Sequence, residues 1–391
     1  MKVRKSIIAL ALGTLGLGIS EYVMMGILPD IAQGVGVSIP KAGYLISAYA
    51  IGVVVGAPSM VILARKQPLK IILLALAIIF MIGNLLTALA PNYSLLAVAR
   101  FIAGLPHGAY FGVGSIVATK LVSKGKETAA VAAMVSGMTV ANLFGSPFGT
   151  FISHEFSWRI TYAIVGLIGI PTFIFIKKWI PTIDPLPDTG FKGQFSFLKH
   201  KAPWIIFMAI MLGNGGVFCW WSYINPVMTE VSGFTIQSMT GIMMIAGLGM
   251  LIGNVLSGHF SYKYAPGKIA ATTQGIMAIL LVLILIFSPF KWVSLFLMFL
   301  CTMCLFALSA PEQILLNTHS KGGEMLGATL AQVAFNLGNA IGAILGGIPI
   351  EMGYNHKYVT VPGIALAIAG FMFLFVFQKK QNQYTYTHSN T

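Results

Sequence analysis

Charge is what this chain has least of. Only 9% of its 391 residues are Asp, Glu, Lys or Arg, and the acidic ones number 10. A water-soluble fold of this length needs far more charge to cover its surface. Cysteine is scarce as well: Cys219, Cys301 and Cys304 all fall in apolar stretches. Cys301 and Cys304 form a CxxC, but no second pair and no nearby histidine accompany them. They read as small buried thiols rather than zinc ligands. No Lys/Arg-rich arm interleaved with aromatics is present, which excludes nucleic acid as the partner despite a net charge of +14.

Catalytic and nucleotide-binding motifs are missing too. His154-Glu155 opens like a zinc-protease motif, yet Trp158 stands where the second histidine belongs. The segment from Lys120 to Glu127 lacks both the first glycine and the Ser/Thr of a phosphate-binding loop, so nothing points to an ATP-driven pump. Neither a ring of charges nor a filter-like repeat suggests a channel. The residues give no sign of an enzyme, a cofactor or a resident metal.

What the chain has in abundance is apolar surface. Hydrophobic residues make up 57% of it, and the mean hydropathy is +0.85. They come in blocks of about 20, the length a helix needs to cross a bilayer. Lys2, Arg4 and Lys5 precede a run that continues past Glu21 to Ala32. That is too long for the core of a cleaved signal peptide, so it reads as the first membrane helix. Twelve helices are predicted, over 6–32, 41–64, 71–90, 94–119, 129–153, 160–176, 203–229, 240–262, 269–288, 293–318, 325–350 and 359–378. The expected fold is an all-α membrane protein with a six-helix bundle over 1–176 and a second over 203–378. A polar linker over 177–202 joins them, and a tail over 379–391 follows.

Basic residues orient this array. With the N-terminus inside, 19 Lys/Arg fall on the cytoplasmic side and four (Lys41, Arg159, Lys291, Lys357) on the other, with Arg100 inside a span. The positive-inside rule then places both termini in the cytoplasm. The expected location is a bacterial inner membrane. The halves also echo one another: Gly52-x3-Gly56 in the second helix is matched by Gly249-x3-Gly253 in the eighth. The fifth helix (Asn142, Gly145, Gly149) is matched by the eleventh (Asn336, Asn339, Gly342, Gly346). Small residues at this spacing let helices approach closely, and their repetition in two halves points to a transporter built of repeats.

Several motifs resemble those of the major facilitator superfamily. Gly56-Ala-Pro-Ser with Arg65 and Lys70 resembles its loop between the second and third helices, and Arg100 with Gly104 its fourth-helix motif. Ser136 to Thr150, which includes Gly145, Pro147 and Gly149, resembles its antiporter motif. Gly18-Ile-Ser-Glu-Tyr22, Pro106 to Gly114, Phe156-Ser-Trp-Arg159 and Leu305 to Pro311 are similar to the arabinose-efflux-permease branch of the drug:proton antiporters. The resemblance spans residues 1–378. It implies alternating access and efflux of a sugar-like or drug-like solute, with Gly56, Arg65, Lys70, Gly145, Pro147 and Gly149 as packing or switch positions. Ala64 stands where the superfamily loop has an Asp, so a charge relay in that loop does not carry over intact.

Of the acidic residues, only Glu21 and Glu312 sit inside predicted spans. A carboxylate at mid-helix costs about 2.5–3.5 kcal/mol on insertion scales, so it faces a cavity or a partner. Desolvation favours its protonated form, the property a proton-coupled antiporter requires. Glu21 and Arg100 lie at depths where they could meet, either as an ion pair that fixes packing or as a proton-coupling device. Glu312, near the inner end of the tenth helix, reads as snorkelling, as lining a cytoplasmic vestibule, or as a further coupling group. His107, Asn142, Asn336 and Asn339 are midspan polar residues, open to helix bridging or to cargo contact. Trp220 and Trp221 fit an interfacial aromatic belt. Trp221, Tyr223 and Asn225 are also candidate cargo contacts, with Asn225-Pro226 a point where the helix could break.

The function these readings favour is proton-coupled export of a small organic solute, by a protein working as a monomer in lipid. The alternative is proton-linked uptake or facilitated diffusion of a polar solute such as a sugar or nucleoside.

Overall fold

A computed structural model describes residues 2–64, 66–123, 126–185, 196–261, 263–320 and 324–388. Arg65 and the middle of the linker, 186–195, lie outside the described residues. The described chain is helical, and twelve of its helices are long and apolar enough to cross a membrane. They are α1 (Lys2–Gly26), α2 (Ile39–Ala64), α3 (Leu69–Leu89), α4 (Tyr93–Lys120) and α5, which combines Glu127–Val140, a π turn at Ala141–Gly145 and Ser146–Glu155. Then come α6 (Trp158–Trp179), α7 (Lys201–Trp221), α8 (Met239–Phe260), α9 (Pro266–Phe287), α10 (Lys291–Thr318), α11 (Glu324–Glu351) and α12 (Thr360–His388).

Packing repeats with a shift of six helices. In the first half α2 lies on α4, α1 on α5 and α3 on α6; in the second, α8 lies on α10, α7 on α11 and α9 on α12. The halves meet along α2 against α11 and, in the matching place, α8 against α5. Glycine makes the closest of these approaches. A Cβ on Gly56 would collide with the Leu105 carbonyl of α4, and one on Gly253 with the Met303 carbonyl of α10. The glycine pairs thus bring backbones together where side chains would hold them apart.

Proline shapes the helices that carry the site. The first helix is not continuous to Ala32: α1 stops at Gly26, and a separate short helix, Leu28–Gly34, follows. Pro29 has no N–H to offer the Met25 carbonyl, so the ladder cannot run through this point. Pro226 does the same beyond α7, where a three-residue turn, Ile224–Pro226, leads into a π turn at Val227–Val231. In α5, Pro147 withholds its hydrogen bond from Leu143, and the widened turn forms just before it.

Candidate functional site

The junction of the halves is organised around Glu21. It sits on α1, where Gly18 allows α5 to close in: a Cβ at Gly18 would lie 2.8 Å from the Ala141 side chain. Glu21 is only 6% exposed. Its Oε1 accepts a hydrogen bond of 3.0 Å from Asn339 Nδ2, on α11 of the other half. His107 Nε2 faces its Oε2 at 3.8 Å.

Each partner is itself held. The Oδ1 of Asn339 is taken by the Asn214 amide, which also donates to the Phe335 carbonyl at 2.8 Å. Asn339 therefore turns its N–H toward Glu21. His107 shares a hydrogen bond of 2.8 Å between Nδ1 and the Tyr49 hydroxyl and stacks on Phe111, with ring centroids 5.2 Å apart. The tautomer of this ring follows from whether Tyr49 donates or accepts.

Arg100 lies close enough for its charge to act on Glu21, but the two form no direct ion pair. It is buried, with its guanidinium carbon 4.4 Å from the Tyr49 ring centre and 5.2 Å from that of Tyr162. Its Nη1 reaches Ser20 Oγ at 3.4 Å, and Ser20 in turn donates to Asn84 at 2.7 Å. Two aromatic faces hold this cation where a carboxylate was expected. Aromatic rings give no charge signal in a sequence, which is why Tyr49 and Tyr162 escaped notice. Ser20, Asn84 and Asn214 escaped because neutral polar residues are common in spans.

A second group of polar atoms lies beside Tyr22. Asn142, in the π turn of α5, keeps both amide atoms unpaired, and so do Ser146 Oγ and Trp221 Nε1. With Met243, Ala246, Gly247 and Met250 of α8 they line a crevice between the halves, too narrow to hold a water molecule. Trp220 and Trp221 are 1% and 0% exposed, so the aromatic-belt reading fails for both. The break after Trp221 turns this end of α7 into the protein rather than toward lipid.

Tyr223 and Asn225 lie at one end of the bundle, which Asn225 helps to shut. The Tyr223 hydroxyl donates to the Ala343 carbonyl at 2.7 Å, and Asn225 donates across the halves to the Gly26 carbonyl at 2.5 Å. At the same end Tyr44 donates to Glu351 at 2.8 Å and Ser47 to the Ala340 carbonyl at 2.9 Å. The contacts of Asn225, Tyr44 and Ser47 draw the halves together where Asp30, Lys41 and Glu351 lie, while that of Tyr223 stays within the second half.

The remaining candidates are scattered. Asn336, one turn from Asn339, donates to the Gln332 carbonyl at 3.0 Å and leaves its oxygen unpaired. Glu312 is 2% exposed, which rules out snorkelling; Pro311 and Leu315 are buried with it on one face of α10. Gly56 lies against α4, Gly145 against Ile19, and Gly149 against Val23 and Thr161. Pro147 is buried behind the π turn, while Lys70 is half-buried at the start of α3. Among the described residues no cluster of His, Cys, Asp and Glu is placed to hold a metal.

Twelve apolar helices in two repeated bundles, with polar groups gathered where the bundles meet, define an integral membrane transporter. The chain belongs to the Major Facilitator Superfamily, whose model matches residues 10–343. It is 49% identical over 366 residues to the putative transporter AraJ of Escherichia coli K12, covering 94% of this chain and 93% of that one. A probable sugar efflux transporter of Pasteurella multocida is 24% identical over 368 residues, covering 94% and 90%. Among solved structures, a bacterial homologue of the human lysosomal transporter Spinster, inward-facing and occupied, superposes with a TM-score of 0.72. At 15% identity over 95% of this chain and 96% of that one, it speaks for the fold alone. The protein is thus a multi-pass membrane transporter with efflux-type relatives, of a family whose members are not enzymes.

Proposed function

We propose that this protein exports a small organic solute, sugar-like or drug-like, in exchange for protons, with Glu21 as the coupling carboxyl group. The observation that carries this reading is the bond from Asn339 to Glu21. It ties a buried carboxyl group to the opposite half, so adding or removing a proton there changes the contact that must break when the halves rock. His107 faces the same carboxyl and is the natural donor or acceptor when the proton moves. Cargo contact falls to Asn142 and Trp221, whose polar atoms are unpaired beside Tyr22. An amide offers both a donor and an acceptor, and an indole face suits the apolar side of a sugar ring or a flat drug.

The charge asymmetry supports a cytoplasmic position for both termini in a bacterial inner membrane, and the closed end of the bundle is then the periplasmic one. Each chain carries a complete junction, which supports action as a monomer. The test begins with thermal unfolding of the purified protein against a panel of sugars, nucleosides and lipophilic cations. The compound that raises the melting temperature is then followed in proteoliposomes under an imposed pH gradient. Proton antiport predicts accumulation against the compound's own gradient. Equilibration alone, with no response to pH, would favour facilitated diffusion instead.

A further inference from the structure

The closed end carries two histidine–carboxylate pairs that the transport site does not use. In the first half, Asp30 lies on the short helix that extends α1, and His154 on the last turn of α5; His154 Nε2 is 3.2 Å from Asp30 Oδ2. In the second half, Glu230 lies in the π turn that extends α7, and His356 opens the turn after α11; His356 Nδ1 is 3.0 Å from Glu230 Oε2. The seventh and eleventh helices are the repeats of the first and fifth. A histidine–carboxylate pair therefore pins the extension in each half, to the last turn of α5 in the first and to the turn between α11 and α12 in the second. Both extensions end in a left-handed glycine, Gly36 at φ 67° and Gly233 at φ 72°.

The pinned segments are the ones that shut the bundle. The extension Leu28–Gly34 touches the turn Ile224–Pro226 of the other half, and Asn225 closes on the Gly26 carbonyl just before the first extension begins. Each histidine therefore holds one jaw of the closure to its own bundle.

We propose that the two pairs form a pH-responsive latch on this end of the transporter. Protonated histidines hold both extensions and favour the closed end, and loss of those protons frees the extensions and favours opening. The geometry at His154 calls for charge. Neither of its ring nitrogens makes an aligned hydrogen bond, so attraction to Asp30 depends on the ring being cationic, while Ser153 supplies the directed bond of 2.8 Å to the same oxygen.

Other charged groups nearby are engaged or turned away. Glu155 follows His154 and is exposed, and Arg159 donates to the Ala88 and Ala90 carbonyls. Beside His356, Lys357 lies over the Tyr358 ring, Tyr354 packs on Tyr358, and Glu351 accepts from Tyr44. Histidine is the side chain that changes charge between about pH 5 and 8.

The experiment measures the distance between spin labels on Pro91→Cys and Pro289→Cys, exposed positions at this end of the two halves. The native cysteines are buried and stay in place. A Glu21→Gln background keeps the central carboxyl group from contributing, and pH is varied equally on both sides of the membrane. Raising pH from about 5 to 8 is expected to increase the ratio of open to closed populations about fivefold, the size two partly exposed ion pairs can supply. His154→Gln/His356→Gln should show the open-rich distribution at both pH values, and His154→Arg/His356→Arg the closed-rich one. A glutamine double variant that keeps the pH response of its Glu21→Gln parent would overturn the latch, as would a parent that shows none.

Discussion

Asn339 of α11 donates its amide hydrogen to the Glu21 carboxyl of α1, so two residues 318 positions apart join the two halves of the transporter at their junction. The bond has a fixed direction because Asn214 occupies the other end of the Asn339 amide. An N–H donor suits a carboxylate better than a neutral acid, since a hydrogen bond to a charged group is the stronger one. Protonating Glu21 therefore weakens the contact between the halves.

Removing one member of this pair should cost more than removing both. Asn339→Leu leaves Glu21 buried without its donor, a loss of about 1–3 kcal/mol. In the Glu21→Leu/Asn339→Leu double variant much of that cost should disappear. Thermal unfolding of the four proteins in detergent gives the coupling directly. Additive effects of the two single substitutions would mean that the bond contributes nothing.

Gly149→Leu should abolish transport while the protein still inserts into the membrane. A Cβ there would lie 2.8 Å from Val23 and 3.0 Å from Thr161, so a leucine must force α5 away from α1 and α6. Overpacking of this kind costs about 1–3 kcal/mol. Gly241→Leu on α8 is the matched control, since nothing lies within 4 Å of a Cβ at that site. Equal activity in the two variants would separate the α5 packing from transport.

Arg100→Lys keeps the charge and is nonetheless expected to impair transport. A lysine ammonium does not reproduce the flat contact that the guanidinium makes with Tyr49 and Tyr162. Loss of that contact frees Tyr49, and with it the ring of His107. Transport rates of Arg100→Lys and Tyr49→Phe, compared across pH, should both depart from the wild-type profile. An unchanged profile in both would show that the aromatic support of Arg100 has no part in coupling.

Much of the fold was legible in the sequence, and little of the junction was. Span number and the two-half architecture follow from lengths of apolar sequence, because lipid leaves the backbone no alternative to helix. Glu21 stood out for a similar reason: a carboxyl inside a span is costly and calls for explanation. Its partners did not stand out. Which face of α11 meets α1 depends on helix rotation, and glycine spacing on each helix sets that only in three dimensions. The aromatic-belt reading of Trp221 fails because position along the chain indicates depth in the membrane and not the break at Ile224–Pro226 that turns the ring inward. The snorkelling reading of Glu312 fails because distance from a helix end says nothing about lateral burial.

The orientation can be checked from outside the cell. Cysteines at Pro91 and Pro289 should react with a membrane-impermeant maleimide in intact cells, whereas one at His200 should react only after permeabilisation. Labelling of His200→Cys in intact cells would reverse the topology that the basic residues indicate.

The most direct test of the account is Glu21→Gln in proteoliposomes, with the stabilising compound from the thermal screen as cargo. Glutamine keeps the shape of the side chain and its carbonyl acceptor for Asn339, but it cannot release a proton. The variant is expected to lose accumulation driven by a pH gradient while still exchanging cargo across the membrane when no gradient is imposed. Accumulation against a cargo gradient at the wild-type level would contradict the account, and Glu21 would then be a packing residue.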